Sequence, residues 1–258
     1  MYVKKKRKKS KKGAFHIGCS GWNYNHWKGL FYPEKSSSNT WFKEYSSHFS
    51  TVEINNTFYN LPETSVFDNW REQAPPGFIY AVKANRFITH MKKLKDPKKS
   101  LELFLSRTRL LKKHLGPVLF QLPPHWKVNT ERFDNFTDLL PKDLECVFEF
   151  RDPSWYDEGI YRIMKKKKIS LCLHDMPGSE SPLETVGPIC YIRFHGATGI
   201  YAGGYSLTHL KKWIRLIKEA ISDGKDVYVY FNNDAEAHAP HDAEKLIKYL
   251  TKNSSSII

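Results

Sequence analysis

The chain has 258 residues, of which 40% are hydrophobic and 14% aromatic, and its formal net charge is +14. It is long enough to bury one large core, and an α/β barrel typically needs about this length. No apolar run approaches the roughly 18 residues that a membrane span needs, and polar residues interrupt the segment after the basic start, which excludes a signal peptide. We therefore expect a single cytoplasmic domain with no membrane partner.

The positive charge is concentrated at the N-terminus, where eight of the first twelve residues are lysine or arginine. Without those eight, 33 basic side chains face 27 acidic ones. A block of like charge without apolar residues repels itself and cannot offset its ordering entropy. We predict a disordered basic arm at residues 1–13, a domain at residues 14–252 and a tail at residues 253–258. The arm is either a solubilising tail or a non-specific phosphate contact.

Eight short runs rich in β-branched and aromatic residues recur along the chain, which is typical of strands in βα units. They lie at residues 15–19, 51–54, 78–82, 118–121, 146–150, 169–173, 189–194 and 227–231. Several are nearly continuous apolar stretches, as strands buried on both faces should be. The pattern predicts a parallel sheet.

Amphipathic helical patterns separate nearly all of these runs. One predicted helix has Asp96 as N-cap and Pro97 in its first turn, and it stops at Gly116 and Pro117. The others lie at residues 40–49, 64–74, 129–140, 157–168, 206–224 and 242–250. The segment between the sixth and seventh runs contains three prolines and two glycines, so we expect a loop there in place of a helix.

Eight strands with right-handed crossovers can close on themselves, which removes both exposed sheet edges. A doubly wound open sheet would instead require a glycine-rich phosphate turn after the first strand, and the residues GCSGW do not match GxGxxG. The predicted fold is a TIM-type (β/α)8 barrel with a closed parallel sheet and a degenerate sixth helix.

Polar residues follow almost every predicted strand, at the end of the barrel where catalysis usually takes place. In chain order they are Ser20 and Trp22; Glu53 and Asn55; Lys83 and Asn85; Gln121; Glu149 and Arg151; His174 and Asp175; Arg193 and His195; Asn232 and Asn233. Residues two apart share a face of a strand, so these groups can point into one cavity. A structural ion-pair network is the alternative interpretation.

The expected roles follow from the chemistry of each group. Arg193 offers forked donors to a carboxylate or phosphate and is the expected anion clamp. Glu53 or Glu149 is the expected general base, with His195 as a further catalytic residue. Lys83 is expected to be an electrostatic anchor in preference to a Schiff-base amine, because neighbouring carboxylates would hold it protonated. The remaining predicted ligand-binding residues include the aromatic side chains of Trp22, Tyr59 and Tyr205, which suit stacking on a sugar or base.

The sequence predicts no metal site, and a bound divalent metal ion is the alternative that it leaves open. His174, Asp175, His195, Glu53 and Glu149 have suitable chemistry, but no HxH or HExxH spacing brings two imidazoles together. The four cysteines lie within apolar runs and lack CxxC spacing, so we expect reduced, buried thiols.

The motifs of the chain, in order, resemble those of the YecE-like family, domain of unknown function 72. The resemblance is carried by IGCSGWNY, FYPE, TVEINNTFYNLP, AVKANRFITH, GPVLFQLPP, FEFRDPSW, YIRFHG, YAGGYS and DVYVYFNNDAEAHA. It implies a TIM-type barrel and no settled reaction. The signature polar positions it implies are Ser20, Trp22, Glu53, Asn55, Tyr59, Lys83, His90, Gln121, Glu149, Arg151, Arg193, His195, Tyr205, Asn232 and Asn233.

Three hypotheses of function follow. The first is an enzyme that performs acid–base chemistry on a small anionic, phosphorylated or carboxylated, sugar-like ligand at the barrel mouth. The second is a nucleic-acid protein that uses residues 1–12 and the aromatic side chains of the mouth. The third is a non-enzymatic scaffold barrel, in which the charges neutralise one another.

Overall fold

The computed structural model describes residues 12–252. Most of the predicted basic arm and the whole predicted tail lie outside the described residues. Eight parallel strands form one sheet in the order β1-β8-β7-β6-β5-β4-β3-β2. They are β1 Phe15–Cys19, β2 Thr51–Ile54, β3 Ile79–Lys83, β4 Leu115–Gln121, β5 Cys146–Glu149, β6 Ser170–Asp175, β7 Cys190–Phe194 and β8 Val227–Phe231. The predicted TIM-type barrel is confirmed.

The helices lie outside the barrel and bury one face each against the strands. They are α1 Ser38–His48, α2 Asn56–Tyr59, α3 Thr64–Gln73, α4 Lys98–Thr108, α5 Thr130–Thr137, α6 Glu158–Lys167, α7 Leu207–Ser222 and α8 His238–Lys252. Among the described residues no helix separates β6 from β7, as predicted. None of the described helices has the length and hydropathy needed to cross a membrane.

Helix α4 differs from its prediction at both ends. Asp96 has a φ of 45° and does not cap the helix, because a capping residue takes an extended conformation. Helix α4 ends at Thr108, and a 3-10 turn follows at Arg109–His114. Gly116 and Pro117 belong to β4, where burial within the sheet overrides their usual role as a helix stop.

The strands β1 and β2 stand at the two ends of the strand order and are not paired by backbone hydrogen bonds. Side chains connect them instead. The hydroxyl of Tyr45, on α1, accepts a hydrogen bond from the backbone N–H of Cys19 at 2.8 Å and donates to the carbonyl of Thr51 at 2.9 Å. Gly18 permits this close approach, since a Cβ there would collide with the Thr51 carbonyl oxygen. One fully buried tyrosine hydroxyl therefore bridges the junction.

Inside the barrel, an apolar layer is followed by a polar layer at the C-terminal ends of the strands. A core cluster inside the barrel contains Ala81, Leu119, Val147, Cys172, Ile189, Tyr191, Tyr228 and Tyr230. Two residues further along the same strands, on the same face, stand Lys83, Gln121, Glu149, His174, Arg193 and Asn232. The apolar layer is therefore the floor of a polar cavity at the C-terminal ends of the strands.

Candidate functional site

Arg193 lies at the centre of the polar layer, held between two carboxylates. Its Nε and Nη2 donate to Oε1 of Glu53 at 3.1 and 2.8 Å, and its Nη1 donates to Oε2 of Glu149 at 2.7 Å. Only 1% of Arg193 is exposed, and neither glutamate is exposed. Although burial opposes the charge, Glu53 and Glu149 raise the pKa of Arg193 well above its ordinary value.

The expected anion clamp is therefore already occupied by groups of the protein itself. With both carboxylates bound to its guanidinium, Arg193 fastens β2 and β5 to β7 across the barrel. The structure therefore places Arg193 in a buried ion-pair network, because Glu53 and Glu149 bind the donors that we expected to hold an anion.

The oxygens of Glu53 accept several further hydrogen bonds. The Tyr191 hydroxyl donates to Oε2 at 2.6 Å, Ser20 Oγ donates to Oε1 at 2.8 Å, and Asn55 Nδ2 donates to Oε1 at 3.2 Å. The strands β1, β2 and β7 thus share one buried carboxylate, and Ser20 and Asn55 lie beside it as predicted.

Glu149 is equally surrounded by donors. Gln121 Nε2 donates to its Oε1 at 2.9 Å, and the guanidinium of Arg151 forms an ion pair with the same oxygen. Burial favours protonation of Glu149, but Arg151 and Arg193 outweigh it and hold the pKa well below its ordinary value. A carboxyl group that stays ionised to such low pH does not serve as a general acid.

His195 is a neutral imidazole beside both arginines. Its Nε2 lies 2.9 Å from Arg151 Nη2 and 3.4 Å from Arg193 Nη1. Arginine only donates, so Nε2 accepts from these guanidinium groups, and Nδ1 lies 3.1 Å from the amide nitrogen Nδ2 of Asn232. Burial and the charge of Arg193 lower the pKa of His195 well below its ordinary value.

Lys83 reaches the polar layer from the end of β3, and within residues 12–252 it has no anionic partner. Within residues 12–252 its amino group has no hydrogen bond or ion pair, and it lies 4.1 Å from the centre of the Phe58 ring. Burial and Arg193 lower the pKa of Lys83 to about 7, against the attraction of Glu149 and Glu53. Our expectation that the carboxylates keep this lysine protonated is wrong, because the arginines already neutralise them.

An open cavity of about 540 Å³ lies above the buried network. Gln121 and Arg151 belong both to its wall and to the first contacts of Glu149, so they connect the cavity with the interior. Nη1 of Arg151 lies 2.7 Å from Met176 Sδ, and its buried Nε has no hydrogen-bond partner in the described chain. Tyr156 and Tyr201 complete this wall with aromatic surface.

A second cavity of about 200 Å³ lies on the β1 and β2 side of the mouth. Ser20, Asn55 and Trp22 line it. The Trp22 ring also packs edge-on against Phe42 at 5.3 Å and Trp70 at 6.1 Å, in the layer between barrel and helices. Trp22 is therefore partly a packing residue.

Tyr59 and His90 lie at the rim. Tyr59 is 66% exposed, and the guanidinium of Arg86 lies 5.9 Å from its ring centre. His90 is half-buried, with Nδ1 2.9 Å from Thr89 Oγ1. Burial, followed by the charge of Lys83, lowers the pKa of His90 to about 4, so the imidazole is neutral at pH 7.

Asp175, the sixth-strand residue of the predicted site, points out of the cavity. It accepts hydrogen bonds from His209 Nε2 at 2.8 Å and Trp213 Nε1 at 3.2 Å, both on α7. Its neighbour His174 points inward, pairs with Arg193 in the register of β6 and β7, and has a buried Nδ1 without a partner. Counting in steps of two from the buried Cys172 identifies His174 as the inward residue.

Tyr205 and Asn233 also lie outside the barrel interior. The Tyr205 hydroxyl accepts from the backbone of Gly196 at 2.9 Å, and Asn233 Nδ2 donates to Asp242 Oδ2 at 2.9 Å. Asp242 also accepts from the backbone of Tyr205 at 2.8 Å. These residues fasten the segment after β7 to α8, so their predicted ligand contact is not available in this structure.

The donor set is poorly suited to a metal ion. Residues 12–252 contain no group of three His, Cys, Asp or Glu side chains placed to hold one. The oxygens of Glu53 and Glu149 are already bound to arginine and hydroxyl donors. The four cysteines are buried and unpaired, as predicted, and burial raises the pKa of the Cys172 thiol.

Comparison with known proteins supports the architecture described above. The chain is 26% identical over 268 residues to UPF0759 protein YunF of Bacillus subtilis (strain 168), covering 91% of this chain and 94% of YunF. It is 30% identical over 145 residues to UPF0759 protein YecE of Escherichia coli (strain K12), covering 56% of this chain and 51% of YecE.

A solved structure gives the same result in three dimensions. The crystal structure of a DUF72 family protein from Thermotoga maritima superposes with a TM-score of 0.83 at 30% identity, covering 92% of this chain and 99% of that one. Residues 16–257 match the family described as "Protein of unknown function DUF72". With its eight-stranded barrel and its ordered motifs at the strand ends, this chain belongs to the DUF72 family.

Proposed function

We propose that this protein is an enzyme that binds a small anionic, sugar-like ligand at the C-terminal mouth of the barrel and acts on it by acid–base chemistry. One observation carries the proposal. Beneath an open cavity of about 540 Å³, charged groups from separate strands converge, and the guanidinium of Arg151 belongs both to the cavity wall and to the buried network. Burying charged groups costs free energy even when they are paired, and a protein that serves only as a scaffold does not require such groups in its interior.

Arg151 is the residue that we assign to the anion. Its guanidinium borders the open cavity, and within residues 12–252 its Nε has no partner, while its Nη atoms contact Glu149, His195 and Met176. The Nε–H is therefore the donor that we assign to a phosphate or carboxylate. Arg193, Glu53 and Glu149 act from below by holding the network rigid, since preorganised charges stabilise developing charge without reorganisation.

Lys83 supplies the basic group. An amine that titrates near neutral pH has the pKa best suited to proton transfer under physiological conditions. The imidazoles of His195 and His90 stay neutral at pH 7, because burial lowers their pKa values. Tyr156 and Tyr201 line the same cavity and offer faces on which a sugar ring can pack.

A ligand screen by thermal shift tests the proposal. The wild type is heated with a panel of sugar phosphates and sugar acids, and a ligand at 100 times its Kd stabilises by about 2.7 kcal/mol, roughly 5–10 °C for a chain of this size. Arg151→Gln should weaken binding of that ligand at least tenfold. The matched control is Arg162→Gln, because Arg162 is exposed on α6, outside the barrel.

Two results would contradict the proposal. One is a complete panel without a shift in the wild type, and the other is a ligand whose binding is the same in Arg151→Gln and Arg162→Gln. The first result would favour the scaffold hypothesis, and the second would refute the assignment of Arg151 to the anion.

The exposed rim supports nucleic-acid binding as a second candidate function. Arg86 faces the Tyr59 ring at 5.9 Å, and Lys92 faces the partly exposed Phe87 ring at 5.7 Å. Such aromatic and cationic pairs suit stacking with unpaired bases, at about 1–3 kcal/mol per base.

Fluorescence anisotropy with a single-stranded oligonucleotide at 50 and 200 mM salt tests this candidate. Tyr59→Ala should weaken binding about 5- to 100-fold. Binding that ignores Tyr59→Ala and disappears when residues 1–12 are deleted would belong to the basic arm alone.

A further inference from the structure

Lys83 has an environment that differs from that of an ordinary lysine. The side chain is 92% buried, since 8% is exposed, and in residues 12–252 its amino group has neither an ion pair nor a hydrogen bond. Its contact is the face of the Phe58 ring at 4.1 Å. Lys167, by contrast, is also largely buried but forms ion pairs with Asp134 and Asp138, which raise its pKa.

The position of Lys83 directs the amine toward the mouth. It is the last residue of β3 and shares the inward face with Ala81, which belongs to the apolar floor. The buried charges around Lys83 act in opposite directions. Arg193 and Arg151 disfavour protonation of the Lys83 amine, whereas Glu149 and Glu53 favour it. The result is an amine that is about half uncharged at pH 7 and that has no ion pair or hydrogen bond within residues 12–252.

We propose that Lys83 is a carbonyl-reactive amine that forms an imine with an aldehyde or ketone group of the ligand. This inference rests on the proposed function and deepens it, because it assigns the ligand to the class of small anionic carbonyl compounds. The Arg151 guanidinium then holds the anionic end, and the Lys83 amine reacts with the carbonyl end.

The chemistry balances without an external oxidant or reductant. The Lys83 nitrogen adds its lone pair to the carbonyl carbon, and a proton moves from nitrogen to the former carbonyl oxygen. The hydroxyl group then takes a proton from solvent and leaves as water, while the nitrogen lone pair forms a C=N bond in place of the C–O bond, which gives a protonated imine. The protonated imine withdraws electrons, so a neighbouring C–H bond becomes acidic.

Reductive methylation of the wild-type full chain tests the reactive amine without knowledge of the ligand. Formaldehyde and sodium cyanoborohydride are added at pH 6.5, and peptide mapping by mass spectrometry measures each lysine. At pH 7 about half of Lys83 is uncharged, against about 0.04% of an ordinary lysine with a pKa of 10.4, a difference of roughly a thousandfold.

We expect Lys83 to react at least tenfold faster than Lys92, an exposed lysine on the same side of the mouth, and faster than Lys167. Its rate should reach half its maximum near pH 7. Equal or slower labelling of Lys83 relative to Lys92 overturns the proposal.

Trapping with an anionic carbonyl tests the ligand class. Dihydroxyacetone phosphate and pyruvate, each with cyanoborohydride, should yield one adduct per chain at Lys83, reduced at least tenfold in Lys83→Arg and unchanged in Lys92→Arg. Arg151→Gln should reduce this adduct but not formaldehyde labelling of Lys83.

The outcomes separate the two proposals. Selective formaldehyde labelling of Lys83, with ligand binding and trapping that do not depend on Arg151, refutes anion binding by Arg151 but agrees with a reactive amine at Lys83. Arg151-dependent ligand binding without selective labelling of Lys83 refutes the imine and leaves the proposed function.

Discussion

Replacing Glu149 with glutamine removes one charge from the buried network while keeping the size of the side chain. In the wild type Glu149 is fully buried and neutralises part of the charge of Arg151 and Arg193. In the variant Glu53 is the carboxylate left for Arg193, and Arg151 loses its ion pair. Breaking a buried pair on one side costs about 3–5 kcal/mol, so we expect Tm to fall by roughly 6–20 °C.

Urea unfolding at pH 7, followed by circular dichroism, measures this loss. Glu131→Gln is the control, because Glu131 is exposed on α5 and its replacement should change the free energy of unfolding by less than about 0.5 kcal/mol. A loss below about 1 kcal/mol in Glu149→Gln would refute an ionised, tightly coupled network at the base of the cavity.

The same pair of proteins gives a pH dependence with a definite sign. The pKa of Glu149 in the folded chain lies well below its ordinary value of 4.5. The stability that Glu149 contributes is therefore complete above about pH 4.5 and is lost as the pH falls through the folded value. The gap between wild type and Glu149→Gln should be full at pH 7 and should narrow with acid below about pH 4.

Two further substitutions test other parts of the molecule. Lys83→Met should stabilise the chain at pH 6 by at most about 5 kcal/mol, since the wild type buries an ammonium group at that pH. The pKa of Lys83 is about 7 in the folded chain and its ordinary value is 10.5, so the difference in the free energy of unfolding should shrink between pH 7 and pH 10.5. A difference that does not change with pH would contradict the lowered pKa of Lys83. Tyr45→Phe should lower the free energy of unfolding in urea by about 1–3 kcal/mol, because the N–H of Cys19 loses its acceptor at the junction of β1 and β2. Tyr59→Phe is the control, since Tyr59 is exposed. Equal stability of the two variants would contradict the bridging role of the Tyr45 hydroxyl.

The alternation of strands and helices could be predicted from the sequence because it rests on local patterns. Apolar runs of four to six residues, separated by amphipathic segments, predict parallel strands covered by helices. The prolines between β6 and β7 likewise forbid a helix by their own covalent geometry. The end of α4 was predicted wrongly, because the burial of β4 decides the state of Gly116 and Pro117 and local preference does not.

The membership of the site was predictable to the extent that strand geometry determines it. Residues two apart share a face, which brings Glu53, Lys83, Glu149 and Arg193 to one interior. Of the two predicted residues at the end of β6, His174 points inward and Asp175 points outward to α7, because successive residues of a strand face opposite sides. The side on which a residue points depends on the register of the whole strand.

The sequence by itself determined the class of fold, the number of strands and the kinds of charged group that follow them, since these follow from periodicity along the chain. Only the tertiary structure decided which charges pair. Arg193 faces two carboxylates that occupy its donors, whereas Lys83 faces an aromatic ring and has a pKa lowered to about 7. Pairing and burial depend on distances between strands far apart in sequence, and these distances determine whether an ionisable side chain is structural or reactive.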